Sequence, residues 1–159
     1  MASDEGGGID SSVIAAAQVF KSLPKDGVAR LADSGERRTF AEGKELMRQG
    51  EASTAMYVIV DGHVRVARMH PDFTEPLTLA IIGPGEVVGE MGVLDGEPRS
   101  ATVIATDDVI AVELNGRVLG EIILQHPDIY GSLVRVLSRR LRSTDELAAH
   151  LGRDRRPDT

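Results

Sequence analysis

From Arg37 to Leu114 the chain reads as short apolar runs cut by glycine and proline turns. That punctuation constrains the fold more than any other feature, because many short strands at regular spacing call for a closed or double-sheeted β structure. Phe40 to Glu51 alternates short extended pieces with glycine turns, and Met56–Val60 is an apolar run of strand length. Asp61-Gly62 then has the composition of a two-residue hairpin turn. In His63–Met69, Val64 and Val66 alternate with His63 and Arg65, as in a half-buried strand. Met69–Pro76 reads as an exposed loop, and Leu77–Ile82 as a strand ended by Gly83-Pro84-Gly85. Thr102–Ala105 and Val109–Leu114 complete the set, separated by Asp107-Asp108. Aromatic residues make up only 3 % of the chain, so the core has to be built from Val, Ile, Leu, Ala and Met.

Helical patterns flank this β region. Residues 1–10 are acidic and glycine-rich and read as a flexible leader. Asp10-Ser11-Ser12 offers N-caps for a helix over Val13–Phe20, and a second helix is expected over Lys25–Ala32, ended by Ser34-Gly35. Asn115 can cap a short helix running to about Gln125. Pro127 suits a first helical position and Asp128 the positive end of a helix dipole. A long helix is expected over about 127–151, with Gly152 as its stop and 152–159 as a polar tail. Along it Leu133, Leu137, Arg140, Thr144, Leu147 and Leu151 step by three and four, as a coiled-coil seam does.

The segment Val87–Thr102 carries the chemistry. It sets Glu90 between glycines and places Arg99 after a proline, followed by Ser100 and Ala101. Gly89 and Gly92 allow consecutive backbone N–H groups to face one concavity. Met91–Leu94 is long enough for one helical turn, whose N-terminus adds partial positive charge. Arg99 is an always-charged fork suited to phosphate oxygens, Ser100 adds a hydroxyl, and Glu90 suits a ribose hydroxyl. These residues describe a nucleotide pocket. They equally describe a surface loop in which Glu90 and Arg99 form a weak ion pair.

Other chemistries find little support. The chain has no cysteine, which excludes disulfides and thiolate metal sites. A metal-binding jelly roll needs closely spaced imidazoles, yet His63, His70, His126 and His150 form no His-x-His or His-x-x-x-His pair. No nucleophile elbow or Walker-type loop occurs, so neither a catalytic set nor a metal site is expected, and the chain does not read as an enzyme. No signal peptide or apolar run near the ~20 residues of a membrane helix is visible, so a cytoplasmic location without membrane contact is expected. The net charge of −7 argues against nonspecific DNA affinity.

Gly89-Glu90-Met91-Gly92, then Pro98-Arg99-Ser100-Ala101-Thr102, resembles the phosphate-binding cassette of the cyclic-nucleotide-binding domain family. That family includes bacterial catabolite activators, regulatory subunits of protein kinase A and cyclic-nucleotide-gated channels. With turn signals at 42–43, 49–51 and 61–62, the resemblance covers about residues 12–149 and implies one domain over 11–149. The fold it implies is mainly β with flanking helices (α+β): a double-stranded β-roll of jelly-roll type, a short helix and a long C-terminal helix. It implies a cyclic nucleotide as ligand and no other cofactor. Ser100 favours cAMP over cGMP, since a threonine there favours cGMP in some eukaryotic members. Gly89, Glu90, Arg99, Ser100 and Ala101 are expected to hold the ribose-phosphate, Met91 and Gly92 to supply amides, and Val88 and Leu79 to pack on the base.

Arg139–Asp145 is similar to the activator segment that reaches the purine, which implies Thr144 at the adenine edge and Arg140 bracing Glu90. Asp145 departs from the serine usual there, and Arg139 and Arg142 read as a solvated helix face. The long helix closes over the base in the family and forms the dimer interface in the activators, so a homodimer through this helix is expected. Gly152–Thr159 is too short for a helix-turn-helix, so direct DNA binding is not expected and the downstream partner stays open. The alternatives are an interaction module with a vestigial pocket, or a fragment of a larger cAMP-responsive regulator.

Overall fold

The computed structural model describes the backbone over residues 9–154, and side chains over 9–143 and at 146. Eight strands form two four-stranded antiparallel sheets, and helices lie at both ends of the chain. The strands are β1 (Glu36–Phe40), β2 (Glu45–Met47), β3 (Ala55–Asp61), β4 (Val64–Arg68), β5 (Leu77–Ile82), β6 (Val87–Val88), β7 (Thr102–Ala105) and β8 (Val109–Asn115). Their order is β1-β8-β3-β6 in one sheet and β2-β7-β4-β5 in the other. This is the expected roll.

β3 explains why its sequence is a continuous apolar run rather than an alternating one. Met56 and Val58 face a core shared with the helices, while Tyr57 and Ile59 face the core between the sheets. A strand covered on both faces needs apolar residues at every position. Tyr57 meets Phe40 edge to face, with ring centroids 6.0 Å apart.

The corner after β3 differs from the expectation. β3 pairs with β6 and β8, whereas β4 pairs with β5 and β7, so Asp61-Gly62 carries the chain between sheets and is not a hairpin turn. Gly62 has φ of +81°, and a Cβ there would lie 2.3 Å from the Asp108 carbonyl oxygen. Asp107 accepts the His63 N–H at 2.6 Å and contacts the His63 ring at 3.1 Å, pinning this corner to the β7–β8 turn. In β4, a bulge between Val66 and Ala67 breaks the expected alternation: Val64 and Ala67 are the buried residues.

At the N-terminus, the helix expected over Val13–Phe20 is split. α1 (Ser11–Ala16), capped by Asp10, ends at Ala17 in extended conformation, and a 3₁₀ turn follows over Gln18–Phe20. The break lets Ile14 and Ala17 on one side, and Val19 and Phe20 on the other, all enter the core. α2 spans Lys25–Ser34, α3 Glu90–Asp95 and α4 Gly116–Gln125, where Asn115 Oδ1 accepts the Arg117 and Val118 N–H groups.

α5 spans Asp128–Asp154 and passes through Gly152 instead of stopping there. A helical glycine costs only about 1 kcal/mol relative to alanine, which does not enforce a stop. The expected seam is also rotated. Leu133 is buried in the core and Arg140 turns toward the roll, so neither is free for a partner helix. Tyr130, Val134 and Leu141 are exposed instead, at 48 %, 59 % and 63 %. The reason is helical phase: Ile129, Leu133, Val136 and Arg140 form the stripe that its own roll occupies. Thr144, Leu147 and Leu151 have side chains outside the described residues. No described helix is long and apolar enough to cross a membrane.

Candidate functional site

The cassette forms a short helix seated against the mouth of the roll. Gly89, with φ of +84°, precedes α3, and Gly96, with φ of +72°, ends it. The first N–H groups of any helix have no intrahelical acceptor, so those of α3, next to the Gly89 corner, need a partner from outside the helix. Gly89 meets two requirements. Beyond its left-handed backbone, a Cβ there would lie 2.6 Å from Arg99 Nη1 and 2.9 Å from Met47 Cε. Gly92 is tight for another reason, since a Cβ there would run into the Ser53 side chain, whose hydroxyl donates to the Glu97 carbonyl at 2.8 Å.

Arg99 is held at both ends. Its N–H donates to the Glu51 carbonyl at 2.8 Å and its carbonyl accepts the Gly50 N–H at 2.9 Å. Its side chain is only 7 % exposed, with Nη1 donating to the Gly89 carbonyl at 3.1 Å and Nη2 to the Ala55 carbonyl at 2.6 Å. Burial pulls its pKa below the ordinary guanidinium value, opposed by Tyr57, Glu51, Glu113 and Glu90. Among the described residues it has no carboxylate at ion-pair distance. It is a buried cation balanced by backbone carbonyls, with further N–H donors left on the fork.

Glu90 is 3 % exposed and does not pair with Arg99. The surface-loop alternative, with its weak Glu90–Arg99 pair, is therefore not what forms. Arg140 on α5 reaches across instead, donating from Nη1 to Glu90 Oε1 and from Nη2 to the Val87 carbonyl. Desolvating a carboxylate is costly unless it is paired and hydrogen-bonded, and Arg140 supplies both.

A cavity of about 360 Å³ opens beside these groups, within the usual range for small-molecule sites. Leu79, Val88, Gly89, Glu90, Met91, Gly92, Arg99, Ser100, Ala101 and Arg140 all line it. Val88 and Ala101 are buried, Met91 and Ser100 exposed. Thr144 lies on α5, but its side chain is outside the described residues. Met47, Val66 and Val103 extend the apolar wall from within the roll, and Gln18 and Val19 close the far side from the 3₁₀ turn. Arg139 is exposed, as expected for a solvated helix face, and it also borders the same cavity with Val136 and Ser143. Their spacing of three and four along α5 is the sequence signal for that shared face. Among the described residues, no group of three or more His, Asp or Glu side chains comes together as a metal site.

Comparison with known proteins decides the family. The profile described as "Cyclic nucleotide-binding domain" matches residues 37–126, which run from β1 through the cassette to the end of α4. The chain belongs to the cyclic nucleotide-binding domain family. It is 32 % identical over 139 residues to a CRP-like cAMP-activated global transcriptional regulator of Mycobacterium tuberculosis, covering 87 % of this chain and 62 % of that protein. It is 35 % identical over 127 residues to a cyclic AMP receptor protein of Thermus thermophilus, covering 80 % of this chain and 58 % of that protein. The crystal structure of the Thermus thermophilus catabolite activator protein superposes with a TM-score of 0.71 at 32 % identity, over 85 % of this chain and 63 % of that one. The domain thus spans about three fifths of the length of these relatives.

Proposed function

We propose that this domain is a sensor that binds a 3′,5′-cyclic nucleotide in the cavity between the cassette and α5, with cAMP favoured over cGMP. The observation that carries the reading is Arg99: a buried cation that has no carboxylate at ion-pair distance among the described residues, beside a glycine corner and lining the cavity. A monoanionic phosphodiester is the charge such a site lacks. Arg99, Ser100 and the amides of Gly89, Met91 and Gly92 hold the phosphate, and Glu90 accepts from the ribose 2′-hydroxyl. Val88 and Leu79 pack on the base, Ala101 keeps the cradle close, and Thr144 meets the base edge from α5.

Because Arg140 already joins α5 to Glu90, the ribose and Arg140 share one carboxylate. Binding therefore shifts α5 between two arrangements on the roll, and that shift is the signal. The two similar regulators of Mycobacterium tuberculosis and Thermus thermophilus are named for cAMP, which supports this ligand class. The exposed Tyr130, Val134 and Leu141 supply the face for a homodimer through α5. The net charge of −7 does not favour DNA as a direct partner of this domain.

Calorimetric titration with cAMP, cGMP and 5′-AMP tests the reading. Cyclic nucleotides are expected to bind, cAMP more tightly, and 5′-AMP not to compete. No binding of either cyclic nucleotide overturns it and favours an interaction module with a vestigial pocket.

A further inference from the structure

The turn that clamps Arg99 also grips the β4–β5 loop of the sheet to which β2 belongs. Gln49 Oε1 accepts the Met69 N–H at 2.9 Å, and Gln49 Nε2 donates to the Met69 carbonyl at 3.4 Å. One side-chain amide thus satisfies both backbone groups of Met69, as a neighbouring strand would. Gln49 is itself fixed, because its N–H donates to Thr102 Oγ1 at 3.0 Å. The next two residues, Gly50 and Glu51, are those that bond both backbone groups of Arg99.

We propose that Gln49 is a positioning residue for the pocket: it ties the 69–76 loop to the Gly50-Glu51 clamp, so that occupancy of Arg99 and order of the loop are coupled. The inference rests on the nucleotide reading above. Physically, a ligand anion draws on the Arg99 fork, whose backbone cannot move without Gly50 and Glu51. Those residues follow directly on Gln49, whose amide carries the constraint to Met69. Coupling of this kind is reciprocal: what the ligand does to the loop, the loop does to the affinity. Met69 is 49 % exposed and lies just past the end of β4. Within the loop, the Phe73 N–H donates to the His70 carbonyl at 3.0 Å and the Asp72 N–H to His70 Nδ1 at 3.2 Å. The loop therefore has internal order to transmit once its first residue is held.

The test uses the full chain, cAMP titration, and amide hydrogen exchange at Met69 with and without cAMP. In the unaltered protein, cAMP is expected to slow exchange at Met69. Gln49→Ala is expected to weaken cAMP binding about tenfold and abolish that slowing, with exchange in the centre of β3 unchanged. Gln49→Glu keeps the acceptor for the Met69 N–H and loses the donor, so it is expected to fall between the two. Should the unaltered protein bind cAMP while Gln49→Ala binds equally well, or still shows slowing at Met69, the coupling is overturned alone. Absence of binding by the unaltered protein overturns the nucleotide reading and this inference with it. If Gln49→Ala does not fold, Gln49→Glu decides: affinity and Met69 exchange identical to the unaltered protein would reject the proposal.

Discussion

Arg140 lies fifty positions after Glu90, yet the two form one ion pair that joins α5 to the cassette. The same guanidinium also holds the carbonyl of Val87, the first residue of the short strand β6. The long helix is thus fastened to the binding segment at two points by a single side chain.

Removing Arg140 leaves a buried carboxylate unpaired. Arg140→Ala is expected to destabilise the domain by about 1–3 kcal/mol, discounted because the arginine itself is a quarter exposed. The local effect is expected to exceed the global one, with faster amide exchange in α5 beyond Arg140 than in α4. Arg140→Lys keeps the charge but cannot reach both acceptors as a fork does, so it should recover only part of the loss. Uniform destabilisation, with α5 and α4 loosened alike, would show that the pair does not hold the helix.

The ribose assignment of Glu90 separates from its structural role by choice of ligand. Glu90→Gln retains an acceptor but loses the charge, so it should weaken cAMP more than 2′-deoxy-cAMP in paired calorimetric titrations. Equal losses for the two ligands would remove the ribose role. Arg99→Ala is expected to weaken both by several kcal/mol, because the phosphate then has no buried charge to meet.

The glycine corner of the cassette was legible because it is local, but Glu90 and Arg99 alone read equally well as a surface ion pair, and it was the resemblance to a known family that favoured a pocket. β3 was legible as well, since burial on both faces writes itself as an unbroken apolar run. Asp61-Gly62 was not. A glycine at positive φ serves a hairpin and an inter-sheet corner equally, and the choice is made by Asp107 and Asp108 more than forty residues on. Helical phase was the other blind point. Spacing along α5 identifies Val136, Arg139, Arg140 and Ser143 as neighbours, but which stripe meets the roll depends on tertiary packing. That same uncertainty placed Leu133 in a dimer seam when the core already holds it.

The corner offers a direct stability test. Gly62→Ala forces a Cβ toward the Asp108 carbonyl oxygen at 2.3 Å and strains a backbone at φ of +81°. An expected loss of about 2–4 kcal/mol in denaturant unfolding follows from the two effects together. A loss below about 1 kcal/mol would mean that the corner relaxes freely and does not register the two sheets.

The adjoining carboxylate sets an acid limb. Hydrogen bonds from the His63 side chain and backbone hold the Asp107 pKa below its ordinary value. A depressed folded-state pKa contributes stability above the unfolded value, near 4, and loses it as pH falls through the folded value. Thermal unfolding midpoints should therefore drop more steeply below about pH 4 in the unaltered protein than in Asp107→Asn, which has no proton to take up there. Parallel pH profiles would show that this carboxylate is not linked to folding.

The proposed homodimer would use the face left open on α5. Tyr130, Val134 and Leu141 recur at four and seven positions, so they lie along one side of the helix, away from the stripe that packs on the roll. Exposed apolar side chains in such a row are the common signature of a helix–helix contact, and a second copy presents the same row by two-fold symmetry. Leu141→Glu places like charges opposite each other in that arrangement. Sedimentation analysis should find the unaltered domain dimeric and Leu141→Glu monomeric. The change should leave the thermal stability of the monomer nearly unaltered, because Leu141 is 63 % exposed and contributes little to its own core. If the unaltered domain sediments as a monomer at micromolar concentration, this face has no role in self-association. If Leu141→Glu remains dimeric, the interface lies elsewhere on the roll.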